Sequence, residues 1–147
     1  MSCKCTDGHC EERLALYAKS PCTAVLKTST IPNSGQGLFA DKDYKKGEFV
    51  TYYSGTVTNV FIEGDRVLEI NKKSWIDGTG PCTRSTALGD YINHCLPVNV
   101  KFCISSHKLN TVCIRTTKAV EAGTEFFINY GRDYWARVPN TKKSKLI

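Results

Sequence analysis

Three groups of residues in this chain have the types and spacing to do chemistry. Gly35-Gln36-Gly37 brings two glycines within three positions, and backbone without side chains can approach a flat or extended ligand closely. Asn93-His94-Cys95 sets a carboxamide, an imidazole and a thiol in a row. The carboxamide can both donate and accept hydrogen bonds. Cys3, Cys5, Cys10 and Cys22 crowd the N-terminal region, with His9 among them. Four thiolates suffice for one tetrahedral zinc. The C-x-C opening departs from the C-x2–4-C habit of a lone zinc, so free thiols stand as the other reading.

Each group has a rival. Gly35 to Ala40 also fits the dinucleotide fingerprint G-x-G-x-x-A, which needs a helix directly after the glycines to meet a pyrophosphate. Here Asp41 to Gly47 follows, with no amphipathic helix in reach. No Gly-Lys-Ser/Thr follows either, which sets aside a nucleotide-phosphate loop. His94 and Cys95 invite a Cys–His nucleophile, but neighbours on an extended chain point to opposite faces. No Asn or Asp that would orient such a pair is identifiable.

The elements that must hold these residues are short. Glu11 to Lys19 carries a helical pattern with Leu14 and Tyr17 on one side. After Pro21 the runs at 24–27, 49–53, 67–70, 74–77, 100–104 and 112–115 read as strands, punctuated by Gly- and Asn-containing turns. Residues 86–91 read as one helical turn leading into Asn93. The expected fold is mostly β, several small sheets with few short helices. The expected division is a cysteine-rich segment at 1–22, a main domain at 23–135 and a basic tail at 136–147, where Lys142, Lys143 and Lys145 lie.

The 147 residues carry a net charge of +6, with 41% hydrophobic and 23% charged residues. That is one soluble globular domain's worth. No apolar run reaches the length of a membrane span, and Met1 to Cys5 has no signal-peptide character. An intracellular protein with mostly reduced thiols is expected. Cys82, Cys103 and Cys113 read as small buried hydrophobes. The basic tail is a candidate for nucleic-acid contact, against the plain reading of a solvated end.

Residues Ser34 to Tyr134 resemble the SET-domain lysine methyltransferases in order and spacing, through Ser34-Gly35-Gln36-Gly37-Leu38-Phe39-Ala40, Tyr91-Ile92-Asn93-His94-Cys95 and Val120 to Gly131. The end, Asn129 to Trp135, looks most like minimal viral SET proteins. The resemblance implies a C-terminal pseudoknot and S-adenosyl-L-methionine held by Gly35, Gln36, Gly37, Asn93, His94, Tyr130 and Trp135. It implies Tyr130 and Tyr53 as catalytic residues and a lysine channel lined by Tyr53, Phe102 and Ile128. Cys3, Cys5 and Cys10 look like the tail of a pre-SET zinc region, with Cys22 as a fourth ligand.

The implied activity is methyl transfer to a lysine side chain. A histone tail is the substrate by family precedent, and a nuclear or chromatin-associated location follows from it. A non-histone protein substrate and a non-catalytic SET binding module are the alternatives, and minimal relatives imply a homodimer. The residue types suit the reaction. A lysine amine must be neutral to attack, and its pKa in water is about 10.4. Burial in an aromatic channel beside a positive sulfur lowers that value without a metal or a strong base. Glu63, Asp65 and Asp90 are candidates for carboxylates on the peptide-binding surface.

Overall fold

A computed structural model describes residues 5–60, 67–71 and 73–130. Trp135, Cys3, Glu63, Asp65 and the 136–147 tail lie outside these residues. The described residues form one α-helix, one short 3-10 turn and ten strands in four small sheets. The mostly β expectation is met. No described helix is long and apolar enough to cross a membrane.

The chain divides into two compact units that alternate along the sequence. The first comprises Met1–Cys22, Thr51–Asp90 and Cys103–Cys113. Its helix α1, Cys10–Lys19, has Glu11 and Glu12 in the first turn and Lys19 in the last, each complementing the helix dipole. Pro21 follows the last turn and prevents continuation. The buried positions are Cys10, Arg13 and Tyr17, spaced three and four apart on one face. Arg13 thus takes the inward place that periodicity gave to Leu14. Its guanidinium pairs with Asp7 and donates to the Leu109 carbonyl at 2.9 Å. Asn110 donates to the same carboxylate at 2.8 Å.

Strands β4 (Thr56–Thr58), β5 (Val67–Asn71) and β6 (Ser74–Asp77) form an antiparallel sheet with β6 in the middle. Ile76 and Val57 are buried at its core side. The Tyr17 ring packs on Tyr52 with centroids 5.3 Å apart. Burial raises the Tyr17 phenol well above its ordinary pKa.

The second unit comprises Thr23–Val50, Tyr91–Phe102 and Ile114–Ile147. Strand β1 (Val25–Thr28) pairs antiparallel with β2 (Gln36–Phe39), Thr28 opposite Gln36. Residues 29–35 therefore form the connecting turn. A strand, not a helix, contains Gln36 and Gly37, which removes the dinucleotide-binding alternative in structural terms. The bridge Phe39–Glu125 and the bond from Phe126 N–H to the Leu38 carbonyl tie β2 to the later segment. Strand β7 (Asn93–His94) pairs in parallel with β10 (Phe127–Ile128), Phe127 opposite Asn93 and Ile128 opposite His94. Tyr44 packs edge-on against Phe126 at 5.3 Å. Strands β3 (Phe49–Tyr52), β8 (Val100–Ser106) and β9 (Thr111–Thr116) each carry residues of both units.

Candidate functional site

The second unit gathers most of the residues that sequence reasoning singled out. Gly35 has a φ of +66°, and a side chain there would meet no described atom within 4 Å. Backbone in this region disfavours any L-residue, so Gly35 is required by the turn and leaves space beside it. Gly37 needs its lack of a side chain for another reason. A Cβ there would run into the Glu125 carboxylate and come within 3.3 Å of the Asn93 amide nitrogen. The glycine at 37 is therefore fixed by packing against buried polar groups, where the sequence alone pointed only to an approaching ligand.

Glu125 was missed by sequence reasoning, since a glutamate after Gly123-Thr124 reads as surface. It is only 4% exposed. Its Oε1 accepts from the Thr30 backbone N–H at 2.8 Å and the Thr30 hydroxyl at 2.6 Å. Its Oε2 accepts from the Ser29 hydroxyl at 2.7 Å and the Asn93 amide at 3.4 Å. One carboxylate thus holds the 29–30 turn and Asn93 beside the glycine loop. Asn93 also donates to the Gln36 carbonyl at 3.1 Å. Its donors face these two acceptors, so its carbonyl oxygen is the group it has for a ligand. The neighbouring Ser34 hydroxyl is buried without a hydrogen-bond partner.

His94 is buried, and desolvation lowers its pKa below the ordinary imidazole value. Its Nδ1 accepts from the Tyr130 backbone N–H at 3.0 Å, which fixes the neutral ring with its proton on Nε2. The two rings lie 5.4 Å apart. The Tyr130 hydroxyl donates to the Ile92 carbonyl at 2.8 Å. With its proton committed there, the phenol oxygen presents acceptor lone pairs to anything else nearby. Asn99 donates to the Glu125 carbonyl and accepts from Phe127 N–H, holding the 95–99 loop against the segment that delivers Tyr130.

Of the channel candidates, Ile128 is buried opposite His94 and Phe102 is half-buried on β8. Tyr53 belongs to the first unit, where it is buried and its N–H donates to the Val112 carbonyl at 2.9 Å. Asp90, a candidate surface carboxylate, is buried instead; it lies next to the 3-10 turn's first residue, where the chain is already packed.

The thiols differ from the expected set. Cys5, Cys10 and Cys82 have sulfurs within 4.8 Å of one another. Cys82, read from sequence as a plain small hydrophobe, joins the N-terminal pair. Cys22 is not among them; it is half-buried, and its N–H donates to the Thr86 carbonyl.

The SET domain family model matches residues 35–131, which contain the glycine loop, Asn93, His94, Glu125 and Tyr130. The chain is 30% identical over 152 residues to the histone-lysine N-methyltransferase EZH2 of Chaetomium thermophilum, covering 92% of this chain and 10% of that protein. It is similar to the crystal structure of the Chaetomium thermophilum polycomb repressive complex 2, at 26% identity and a TM-score of 0.67, over 86% of this chain and 17% of that one. It is also similar to ctPRC2 in an autoinhibited conformation bound to S-adenosylmethionine, at 25% identity and a TM-score of 0.65, over 88% and 17%. The chain thus spans about a tenth of the curated relative's length.

Proposed function

The chain belongs to the SET-domain family, and on that premise we propose that it is a protein-lysine N-methyltransferase using S-adenosyl-L-methionine, with a histone tail as substrate. The observation that carries this reading is the assembly around Glu125, which joins the glycine loop to Asn93. The homology to a histone-lysine methyltransferase supports the substrate class.

The residues fit the cofactor. Gly35 leaves open space, Asn93 has both amide hydrogens engaged and its carbonyl oxygen left as an acceptor, and the Ser34 hydroxyl is buried without a partner. When bound, the cofactor supplies an electrophilic methyl on a positive sulfur. Gly35, Gln36, Gly37, Asn93, His94 and Tyr130 are the residues that would hold it, with Trp135 as a further candidate. Neutral His94 fixes the Tyr130 backbone through Nδ1, and Ile92 fixes the phenol. The phenol oxygen, with its proton committed to Ile92, would accept from an electropositive group held beside it, without having to reorient.

The substrate amine loses its proton to solvent on entering an apolar channel, for which Tyr53, Phe102 and Ile128 are proposed as walls. Tyr53 is proposed as the second catalytic residue. A peptide strand would reach the site by adding to a sheet edge.

We propose further a pre-SET-like segment at 1–22, a SET domain at 23–135 and a basic tail at 136–147 that contacts nucleic acid. Likeness to minimal viral SET proteins, a homodimer and a nuclear location belong to the same proposal. The parallel pairing of β7 with β10 supports the pseudoknot.

Mass spectrometry of a histone mixture incubated with the chain and cofactor tests the activity. A methylated lysine is expected, and Tyr130→Phe should weaken its appearance. Transfer confined to other proteins of a lysate would instead assign a non-histone substrate, and cofactor binding without any transfer would assign a binding module.

A further inference from the structure

The first unit brings the sulfurs of Cys5, Cys10 and Cys82 together. The Cys10 and Cys82 sulfurs lie 3.3 Å apart, and those of Cys5 and Cys82 lie 3.6 Å apart, though Cys10 and Cys82 are 72 positions distant in the chain. None of the three is joined in a disulfide. A disulfide would bring two sulfurs to about 2.05 Å. Tetrahedral zinc with bonds of about 2.3 Å sets its sulfurs roughly 3.8 Å apart. The observed spacing, up to 4.8 Å for the set, surrounds the second value and leaves the first far below. Hydrophobic packing alone gives no reason for three thiols to converge.

The surroundings point the same way. Strand β4 pins two of the three residues. Val57 N–H donates to the Cys5 sulfur at 3.3 Å, and Cys82 N–H donates to the Thr56 hydroxyl at 3.2 Å. A side chain on Gly80 would collide with that same Thr56, so the loop bearing Cys82 is seated closely on the strand. An N–H aimed at sulfur favours a thiolate over a thiol. Cys10 is the first residue of α1, where the positive end of the helix dipole favours an anionic sulfur. The buried Arg13 guanidinium lies beside Asp7 and Cys5. Three thiolates and one divalent ion leave a net negative charge, and a neighbouring cation offsets part of it.

We infer that Cys5, Cys10 and Cys82 ligate a structural zinc ion that clamps the N-terminal segment and the 78–83 loop to β4. The three cysteines supply three of the four positions of a tetrahedral site. The ligand set differs from an N-terminal cluster of Cys3, Cys5, Cys10 and Cys22, because one thiolate comes from within the family-matched region. The clamp does not depend on the methyltransferase reading, so either can fail without the other.

Metal analysis of the full chain, purified reduced and without chelator, tests the site. One zinc per chain is expected, lost in Cys82→Ser and kept in Cys22→Ser and Cys103→Ser. Because Cys82→Ser can unfold the unit, cobalt substitution of the unaltered chain gives an independent reading. Thiolate-to-cobalt charge-transfer absorption with tetrahedral visible bands is expected. A reduced, folded chain without zinc and without that spectrum would overturn the proposal. So would full zinc in Cys82→Ser, or a disulfide joining Cys10 to Cys82 in the native protein.

Discussion

The two chemical centres of this chain are held by opposite means. Around Glu125, a buried carboxylate meets donors from Ser29, Thr30 and Asn93, and the polar groups satisfy one another before any ligand arrives. Around Cys82, three thiols face each other, and thiols are weak donors and acceptors that gain little from mutual contact. On the readings proposed above, the first centre is preformed for its ligand, whereas the second would be completed by an ion. The contrast teaches where each should be fragile: one to a change of shape or hydrogen bonding, the other to loss of metal.

The largest effect is expected at Gly37. Gly37→Ala places a methyl group against the Glu125 carboxylate and Asn93, and either the strand or the carboxylate must move. Misplacement by about 1 Å can cost roughly 100-fold in rate. A fall of at least about that size in kcat/KM is expected in a labelled-methyl assay, with zinc content unchanged. A variant of full activity would break the view that this packing defines the site.

Removal of metal comes next. A strong chelator should lower Tm by ten degrees or more, because binding energy for a structural zinc is also folding energy. Glu125→Gln should leave zinc content intact while lowering stability by about 1–3 kcal/mol, since an amide nitrogen would then face donors in a buried site. Differential scanning calorimetry with metal analysis separates these outcomes. If chelator leaves Tm unmoved, the two centres do not differ in the way described.

The smallest effect is a pH dependence. His94 is held below its ordinary value by burial, so the unfolded state binds the extra proton more readily. Stability should be full above the unfolded value of 6.5 and fall as pH drops below it. Protonation would also remove the acceptor for the Tyr130 N–H. Urea denaturation at several pH values checks the trend, and His94→Asn should flatten it.

The gathering of the proposed site residues was legible in the sequence because they sit in contiguous runs: the glycine loop, Asn93-His94 and Tyr130. The longer strands announced themselves by β-branched and aromatic runs. Strands β7 and β10, at two residues each, are too short for any periodicity to show. Arg13 and Glu125 were not singled out because charge predicts exposure unless a partner is known, and no local pattern ties Arg13 to Leu109 or Glu125 to Ser29 and Thr30. The place of Cys82 beside Cys10 was invisible for the same reason: no spacing rule links the two across 72 positions.

Calorimetric titration of the full chain with S-adenosyl-L-methionine, beside Gly37→Ala, tests the central claim most directly. Saturable one-site binding by the unaltered chain and its loss in the variant are predicted. A folded chain that gives no binding heat or thermal shift, or a variant that binds equally well, would contradict the assignment of this site.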